Sequence, residues 1–83
     1  MYKLYLIPSA RKDFDSLDNK TFDQIKERIL SLSENPRSPG CIKLTGEEGY
    51  RLRSGKYRIL YRIDDKDKII YIYRIKHRKD AYK

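Results

Sequence analysis

Alternating apolar and polar residues predict strands at the start of the chain and throughout its second half. Residues 2–7 (YKLYLI) alternate and are rich in aromatic and branched side chains, which is typical of a strand, and Pro8 ends them. Three more segments of this kind follow in the second half, at 49–53, 56–63 and 68–76. Tight turns at Ser54-Gly55 and at 64–67 separate them, so the three strands are predicted to form an antiparallel meander.

A helical period dominates the region between the first strand and the meander. Ser9 is a suitable N-cap for a short helix over residues 9–17. Apolar residues then recur at helical spacing, at Phe22, Ile25, Ile29 and Leu32. They predict a second helix over residues 19–34. Pro36 ends this helix, since the residue before a proline disfavours the α region, and residues 35–42 are predicted to form a connecting loop.

The order of these elements predicts a fold of the α+β class. Eighty-three residues form a single domain, residues 1–83, and a chain this short buries only about 60–65% of its unfolded surface. The first strand is expected to pair with the meander in an antiparallel sheet, and the helical hairpin to pack on one face of that sheet. Such a thin core leaves little room for a deep ligand cavity.

Strand alternation also divides the side chains of the predicted sheet between two faces. The helices are expected to cover the face that carries Tyr57, Ile59 and Tyr61. The opposite face then gathers basic side chains, namely Arg51, Arg53, Arg58 and Arg62, with Arg74 and Lys76 near one end. In the last strand, strict alternation places four residues on this basic face: Ile70, Ile72, Arg74 and Lys76. Like charges on adjacent strands repel, so an anionic partner is expected there.

The distribution of charge points to a polyanionic partner. The chain has 20 Lys and Arg residues against 12 Asp and Glu residues, and 13 of the basic but only six of the acidic ones fall within residues 43–83. Such a concentrated positive field suits nucleic acid. Solubility also requires a charged outer face, but these strands use arginine, which binds phosphates through two parallel hydrogen bonds and stacks on bases.

The sequence predicts no metal, no cofactor and no membrane anchor. One histidine, one cysteine and four scattered glycines provide neither a zinc site nor a phosphate-binding glycine loop. No apolar run approaches the roughly 20 residues of a transmembrane helix, and the N-terminus lacks the pattern of a signal peptide. The single cysteine, Cys41 in the predicted loop, cannot form an internal disulfide. This fits a reducing compartment, so the protein is expected to be cytoplasmic.

The second half of the chain resembles a known toxin family. The stretch KLTGEEGYRLRSGKYRILYRID, the strand after it and the ending HRKDAY are similar to the RelE/ParE superfamily of toxins from type II toxin–antitoxin modules. The most specific parts are the patterns GYRLRxGxYRILY and HRxDxY. The resemblance implies the RelE-like branch: a ribosome-dependent mRNA endonuclease, or mRNA interferase, that inhibits translation. It also implies a RelB-like acidic or amphipathic antitoxin, bound in a hetero-oligomer.

The resemblance further implies a set of site residues. The catalytic positions of the family are matched, or substituted, by Arg51, Arg58, His77, Arg78 and Tyr82. Further RNA contacts are expected from Lys43, Arg53, Arg62, Lys76 and Lys79. The implied chemistry needs no metal: the 2′-hydroxyl of the RNA attacks the adjacent phosphate, and the protein stabilises the developing charge and protonates the leaving 5′-oxygen. Tyr82 is expected to stack on the RNA.

The chain departs from the family pattern in the strand before the hairpin. Well-characterised members have two lysines there, and the corresponding positions here are Gly49 and Arg51. Arginine keeps its proton, so it serves charge stabilisation better than proton transfer. His77 is the candidate general base, because an imidazole exchanges protons near neutral pH.

Two other functions stay open at this point. A ParE-like toxin would poison DNA gyrase without nuclease activity, and such chains share the fold and the YRILY strand. A catalytically weak homologue would bind RNA or the ribosome without cutting. The ending HRKDAY favours the RelE-like branch.

Overall fold

The computed structural model of the protein describes residues 1–44 and 49–81. Its elements are β1 (Lys3–Leu6), α1 (Pro8–Asp15), α2 (Asn19–Leu32), β2 (Cys41–Lys43), β3 (Tyr50–Ser54), β4 (Tyr57–Asp64), β5 (Ile69–His77) and α3 (Arg78–Ala81). The five strands form one mixed sheet in the order β1-β5-β4-β3-β2. β1 runs parallel to β5, whereas the other neighbours are antiparallel. The predicted α+β class, the antiparallel meander and the pairing of the first strand with it are confirmed. The expected antiparallel direction of the first strand is wrong, because tight turns fix the direction only within the meander and β1 lies parallel to β5.

Two short elements lie where the sequence predicts no regular structure. β2 occupies the end of the predicted loop and pairs with β3, so that Cys41 stands opposite Leu52. β2 has only three residues, too few to show the alternation typical of a strand, and it follows two prolines and a glycine. Pairing with β3 therefore decides its extended conformation. The basic tail begins with a helical turn, α3, directly after β5. The other boundaries differ from the predicted ones by at most two residues.

The two long helices begin by different means. Pro8 is the first residue of α1, where its fixed φ suits a helix and its missing N–H costs no hydrogen bond. The predicted cap Ser9 lies inside the helix instead, and its hydroxyl donates to the backbone oxygen of Tyr73 at 2.8 Å. α2 has a side-chain cap, because Asp18 accepts from the N–H of Thr21 at 2.8 Å, which lowers the pKa of Asp18. None of the described helices is long and apolar enough to cross a membrane.

Both helices pack on one face of the sheet, called here the helix-bearing face. Residues at most 4% exposed form the core there: Ala10, Ile25, Ile29, Leu32, Leu52, Ile59, Tyr61, Ile70, Ile72 and Ile75. Phe14 of α1 stacks on Phe22 of α2 with ring centres 4.1 Å apart. The hydroxyl of Tyr61, in the centre of β4, donates to the oxygen of Pro36 at 2.8 Å, and burial raises the pKa of Tyr61. This bond fixes the loop after α2 to the sheet.

A β-bulge interrupts the alternation of side chains in β5. Tyr61 of β4 pairs with Ile72, whereas its neighbour Leu60 pairs with Arg74. Two residues of β4 therefore span three residues of β5, and Tyr73 is the extra one. An inserted residue reverses the faces of every side chain that follows it in the strand.

The bulge decides which residues of β5 meet the helices. Ile70 and Ile72 precede it and Ile75 follows it, yet all three are buried on the helix-bearing face. Arg74 and Lys76 point to the opposite face. The predicted grouping of these two basic residues with Ile70 and Ile72 is therefore wrong, because strict alternation does not hold across the bulge.

α1 covers the edge of β5 that β1 leaves open. β1 pairs with β5 only as far as Ile72. Beyond that point the carboxylate of Asp13 accepts a hydrogen bond from the backbone N–H of Ile75 at 2.9 Å and another from Nε of Arg74 at 2.8 Å. A bare strand edge would invite pairing with another chain, so the helix protects this end of the sheet.

A polar cluster joins three distant segments around the turn between β4 and β5. Asp65 accepts a hydrogen bond from the Tyr2 hydroxyl at 2.6 Å and forms an ion pair with Arg37 at 2.9 Å. Arg37 also donates to the hydroxyl of Tyr50 at 3.2 Å. Arg37 first, and Tyr2 after it, stabilise the charged carboxylate and lower the pKa of Asp65 to about 2.

We expect Asp65 to make folding stability depend on acid pH. A carboxyl whose pKa is lowered by folding stabilises the fold above its unfolded value of about 3.9, and this contribution is lost as the pH falls toward about 2. Asp65→Asn should therefore lose less stability than wild type between about pH 5 and about pH 2.5, measured by urea unfolding. Asp23→Asn, which removes an exposed carboxylate of α2, is the control. Equal acid slopes for wild type and Asp65→Asn would contradict this role.

Candidate nucleic-acid interface

The face of the sheet opposite the helices, called the open face, carries basic side chains in rows across the strands. Directly opposite residues of neighbouring strands share a face. The first row consists of Arg53, Arg58 and Lys76. The second consists of Arg51, Leu60 and Arg74, and the third of Arg62, Tyr71 and Tyr5. Successive rows lie about 7 Å apart along β4, because they are two residues apart in that strand.

Arg58 is a buried charge in the middle of the first row. It is 1% exposed, whereas Arg53 beside it is exposed and Lys76 is half-buried. At this end of the sheet α3 lies against both β4 and β5. A guanidinium stays protonated even when it is buried, so Arg58 supplies a positive charge in a fixed position. The alternation pattern assigns Arg58 to this face correctly but contains no sign of its burial.

Further cations surround the end of the first row, where β5 passes into α3. The backbone N–H of Arg78 donates to the backbone oxygen of Lys56 in the β3–β4 hairpin. Lys56, His77, Arg78 and Lys79 line a shallow cavity of about 230 Å³ at this point. We call the basic residues at this end of the sheet the cationic corner: Arg53, Arg58 and Lys76 of the first row, with Arg78 and Lys79 of α3. The structure thus places five predicted site residues at one end of the sheet, with Arg51 one row away.

His77 lies at the same end of β5 but on the other face. It pairs with Tyr57, and the two rings meet edge to face with centres 5.1 Å apart. Its Nδ1 accepts a hydrogen bond from the backbone N–H of Lys79 at 3.2 Å. Because successive strand residues point to opposite faces, Lys76 and His77 cannot both belong to the open face. The structure therefore places His77 on the side of the sheet away from Arg58.

Three other predicted residues lie outside the cationic corner. Lys43 pairs with Tyr50 in the edge strand β2, so it belongs to the helix-bearing side, where it is exposed. Arg62 is in the third row, with its guanidinium carbon 6.0 Å from the centre of the Tyr71 ring. Tyr82 lies outside the described residues.

The glycine at position 49 is required by the shape of the open face. Gly49 has a φ of +131°, which L side chains rarely adopt. A Cβ atom there would lie 2.9 Å from the backbone oxygen of Tyr61 and 3.2 Å from the hydroxyl of Tyr73. Tyr73, the extra residue of the bulge, therefore reaches across β4 to the position where the resemblance expects a lysine. Residue periodicity could not indicate the position of Tyr73, because a bulge leaves no periodic signal.

We expect any side chain at position 49 to destabilise the fold. Gly49→Ala combines an unfavourable φ with contact against a main-chain oxygen, so the free energy of unfolding should fall by more than about 2 kcal/mol. Gly40→Ala is the matched control, because Gly40 also has a positive φ, +94°, but has open space where the methyl group would be. That variant should lose about 1–2 kcal/mol. Denaturant unfolding of both variants measures the difference, and equal losses would contradict the crowding at Gly49.

The fold and the interface define a class of protein: a small basic α+β domain with two helices on one face of its sheet and arginine rows on the other. A family model described as the ParE toxin of type II toxin–antitoxin systems, parDE, matches residues 4–82. The chain belongs to the RelE/ParE family of toxins from type II toxin–antitoxin systems.

The alignments with similar proteins cover most of the chain. Toxin RelG of Mycobacterium tuberculosis is 33% identical, with 99% of this chain and 97% of that protein covered. Putative toxin RelE1 of Methanocaldococcus jannaschii is 40% identical over 87% of this chain and 84% of that protein. A chain of the toxin–antitoxin complex RelBE2 from Mycobacterium tuberculosis superimposes with a TM-score of 0.84 at 31% identity, covering 93% of this chain and 98% of that one. The resemblance to RelE-type toxins is confirmed.

Proposed function

We propose that this toxin is an endoribonuclease that cuts messenger RNA in the ribosomal A site, without a metal ion, and so inhibits translation. The observation that carries the proposal is the cationic corner, which gathers basic residues of β3, β4, β5 and α3 at one end of the sheet. The named relatives of the chain, which are RelE-type toxins, support the same activity.

The arginines suit the charge that develops during RNA cleavage. The 2′-oxygen loses its proton and attacks the adjacent phosphorus, and the bond to the 5′-oxygen breaks. The products are a 2′,3′-cyclic phosphate and a 5′-hydroxyl, whose oxygen takes up a proton as it leaves. We assign Arg58 to the oxygens of the reacting phosphate. Arg51 and Arg78 are assigned to the two sides of the same phosphate, because fixed guanidinium charges stabilise the phosphorane. Tyr82 is assigned to stack on a neighbouring base.

The geometry supports charge stabilisation more strongly than proton transfer. Because Nδ1 of His77 accepts the Lys79 N–H, a neutral His77 carries its hydrogen on Nε2, which can donate a hydrogen bond but not take up a proton. The ring also lies on the helix-bearing side. Arginines remain protonated and do not replace a base. Orientation and distortion of the bound RNA must then provide a larger share of the acceleration of cleavage. The remaining basic residues are assigned to phosphates further along the RNA: Lys43, Arg53, Arg62, Lys76 and Lys79.

The burial of Arg58 implies a rearrangement before cleavage. At 1% exposure, its guanidinium cannot be reached by a phosphate from solvent. Atoms that cover it must move when RNA binds, and the bound anion then takes their place around the charge. A message held by the ribosome supplies binding energy for this step that a short free RNA lacks. The need for this binding energy favours cleavage on the ribosome.

Removal of two arginines should abolish cleavage. In the double variant Arg58→Ala, Arg78→Ala, we expect cut product to fall at least about 100-fold, the effect of deleting a donor that stabilises a transition state. Primer extension on messages in translating ribosomes measures the cuts, and thermal unfolding verifies the fold. Arg11→Ala is the matched control, because Arg11 is an exposed arginine of α1 that pairs with Asp15. Absence of cuts by wild type, or normal cutting by the double variant, would disprove the nuclease proposal.

Replacement of His77 should have a smaller effect. His77→Gln keeps a polar side chain at the end of β5 and removes the titratable ring, and we expect cutting to fall by less than about tenfold. The same primer-extension assay, repeated at several pH values, measures this. A loss of about 100-fold or more, with a changed pH profile, would instead assign the proton transfer to His77.

The partner that we propose is an acidic or amphipathic antitoxin that covers the open face. Rows of like charges repel one another, and an acidic segment laid across them offsets that repulsion. The structural relative RelBE2 is itself a toxin–antitoxin complex. We infer that this chain likewise forms a hetero-oligomer with its antitoxin in the cytoplasm.

One observation favours a second candidate function. The family model that matches the chain is described as the ParE toxin. A ParE-like toxin would poison DNA gyrase and would not cut RNA. A supercoiling assay with purified gyrase separates the two functions: cleaved DNA that accumulates with wild type, together with intact messages on ribosomes, would favour the ParE-like activity.

A further inference from the structure

A groove lined by arginines lies beside the cationic corner, at an edge of the sheet. β2 pairs with β3 only as far as Leu52, so it does not cover Arg53. Arg28 of α2 lies there instead, and its Nη2 donates to the backbone oxygen of Arg53 at 3.1 Å. The groove has a volume of about 480 Å³ and is lined by Arg28, Gly40, Ile42, Arg51, Arg53 and Gly55.

The lining of this groove has an unbalanced charge. Three of its residues are arginines from α2 and β3, and the described residues that line it include no carboxylate. Guanidinium groups around one space repel each other, and solubility alone gives no reason for them to converge. Arg28 is half-buried and oriented by its bond to the Arg53 oxygen, so its remaining N–H groups are positioned in advance. An anion in the groove would accept these hydrogen bonds and remove the repulsion.

The groove is continuous with the open face. Arg51 belongs both to the second row and to the groove, and Arg53 belongs both to the first row and to the groove. A chain of phosphates that leaves the cationic corner past these two residues therefore enters the groove. Gly40 and Gly55 also line the groove and add no side chain to it, and a Cβ atom on either would meet nothing within 4 Å.

We propose that the groove binds a backbone phosphate of the RNA beside the one that is cut, and that Arg28 is an RNA-contacting residue. The inference rests on the proposed nuclease function and extends its binding site around the edge of the sheet to α2. A phosphate fits better than a protein carboxylate because several guanidinium forks surround one compact space, and a phosphodiester offers oxygens in several directions.

Binding of an RNA that cannot be cut tests this inference separately from catalysis. The probe is 2′-O-methyl RNA of three or six nucleotides, which lacks the attacking hydroxyl, and fluorescence anisotropy measures its affinity at several salt concentrations. Wild type should bind the longer RNA more tightly. Arg28→Gln should weaken binding of the longer RNA about five- to tenfold, lower its salt slope by about 0.7, and leave the shorter RNA nearly unaffected. Arg11→Gln is the matched control on α1 and should bind both as wild type does.

A further variant separates charge from geometry. Arg28→Lys keeps the charge without the planar fork and should give an intermediate affinity. If Arg28→Gln fails to fold, Arg28→Lys carries the test through the same comparison of the longer and the shorter RNA.

The inference is overturned if Arg28→Gln binds both RNAs like wild type, if Arg11→Gln loses as much affinity, or if Arg28→Gln weakens only the binding of an acidic antitoxin. Failure of the nuclease proposal would be seen differently. Wild type would then make no cuts on ribosomes, while the length dependence of RNA binding would still require Arg28.

Discussion

The β-bulge at Tyr73 is the constraint on which the open face depends. Without the extra residue, strict alternation would take Ile75 out of the core and turn Lys76 toward the helices. The bulge also directs the N–H of Ile75 to α1, where Asp13 accepts it and holds Arg74 with the same carboxylate. The bulge therefore determines three features together. These are the first row of cations, the contact of α1 with the edge of β5, and the end of the core.

Repulsion among the basic side chains of the open face destabilises the fold. Carboxylates offset this repulsion mainly at the edge of the sheet. Asp13 pairs with Arg74 at 2.8 Å, at the edge of β5 that α1 covers. Within the described part of the chain, no carboxylate forms an ion pair with Arg51, and the same holds for the exposed members of the cationic corner. Exposed ion pairs contribute little to stability, so their absence is tolerated.

Long periodic segments made most of the fold predictable from the sequence. α2 and β4 each bury one side over many residues, so their periods are strong, whereas three residues of β2 and one turn of α3 carry no period. The site was predictable where it follows alternation, as for Arg51 and Arg58. It was not predictable where tertiary packing decides: Arg28 reaches the edge of β3 from another element, and Tyr73 depends on one inserted residue. The resemblance gave the sequence position of His77 but not the direction of its side chain, which the pairing with Tyr57 decides.

The loss of the family lysine at Gly49 is structural as well as chemical. With a φ of +131° and the main-chain oxygen of Tyr61 2.9 Å from a Cβ atom, no lysine fits at this position unless β4 moves. The bulge fills the space with Tyr73, and the next position on the same face is Arg51. Where the resemblance implies a titratable amine, the structure has an aromatic ring near a permanent charge. In the nuclease that we propose, these two groups suit contact with RNA better than proton transfer, so we expect the rate of cleavage to depend on how far the bound RNA is distorted.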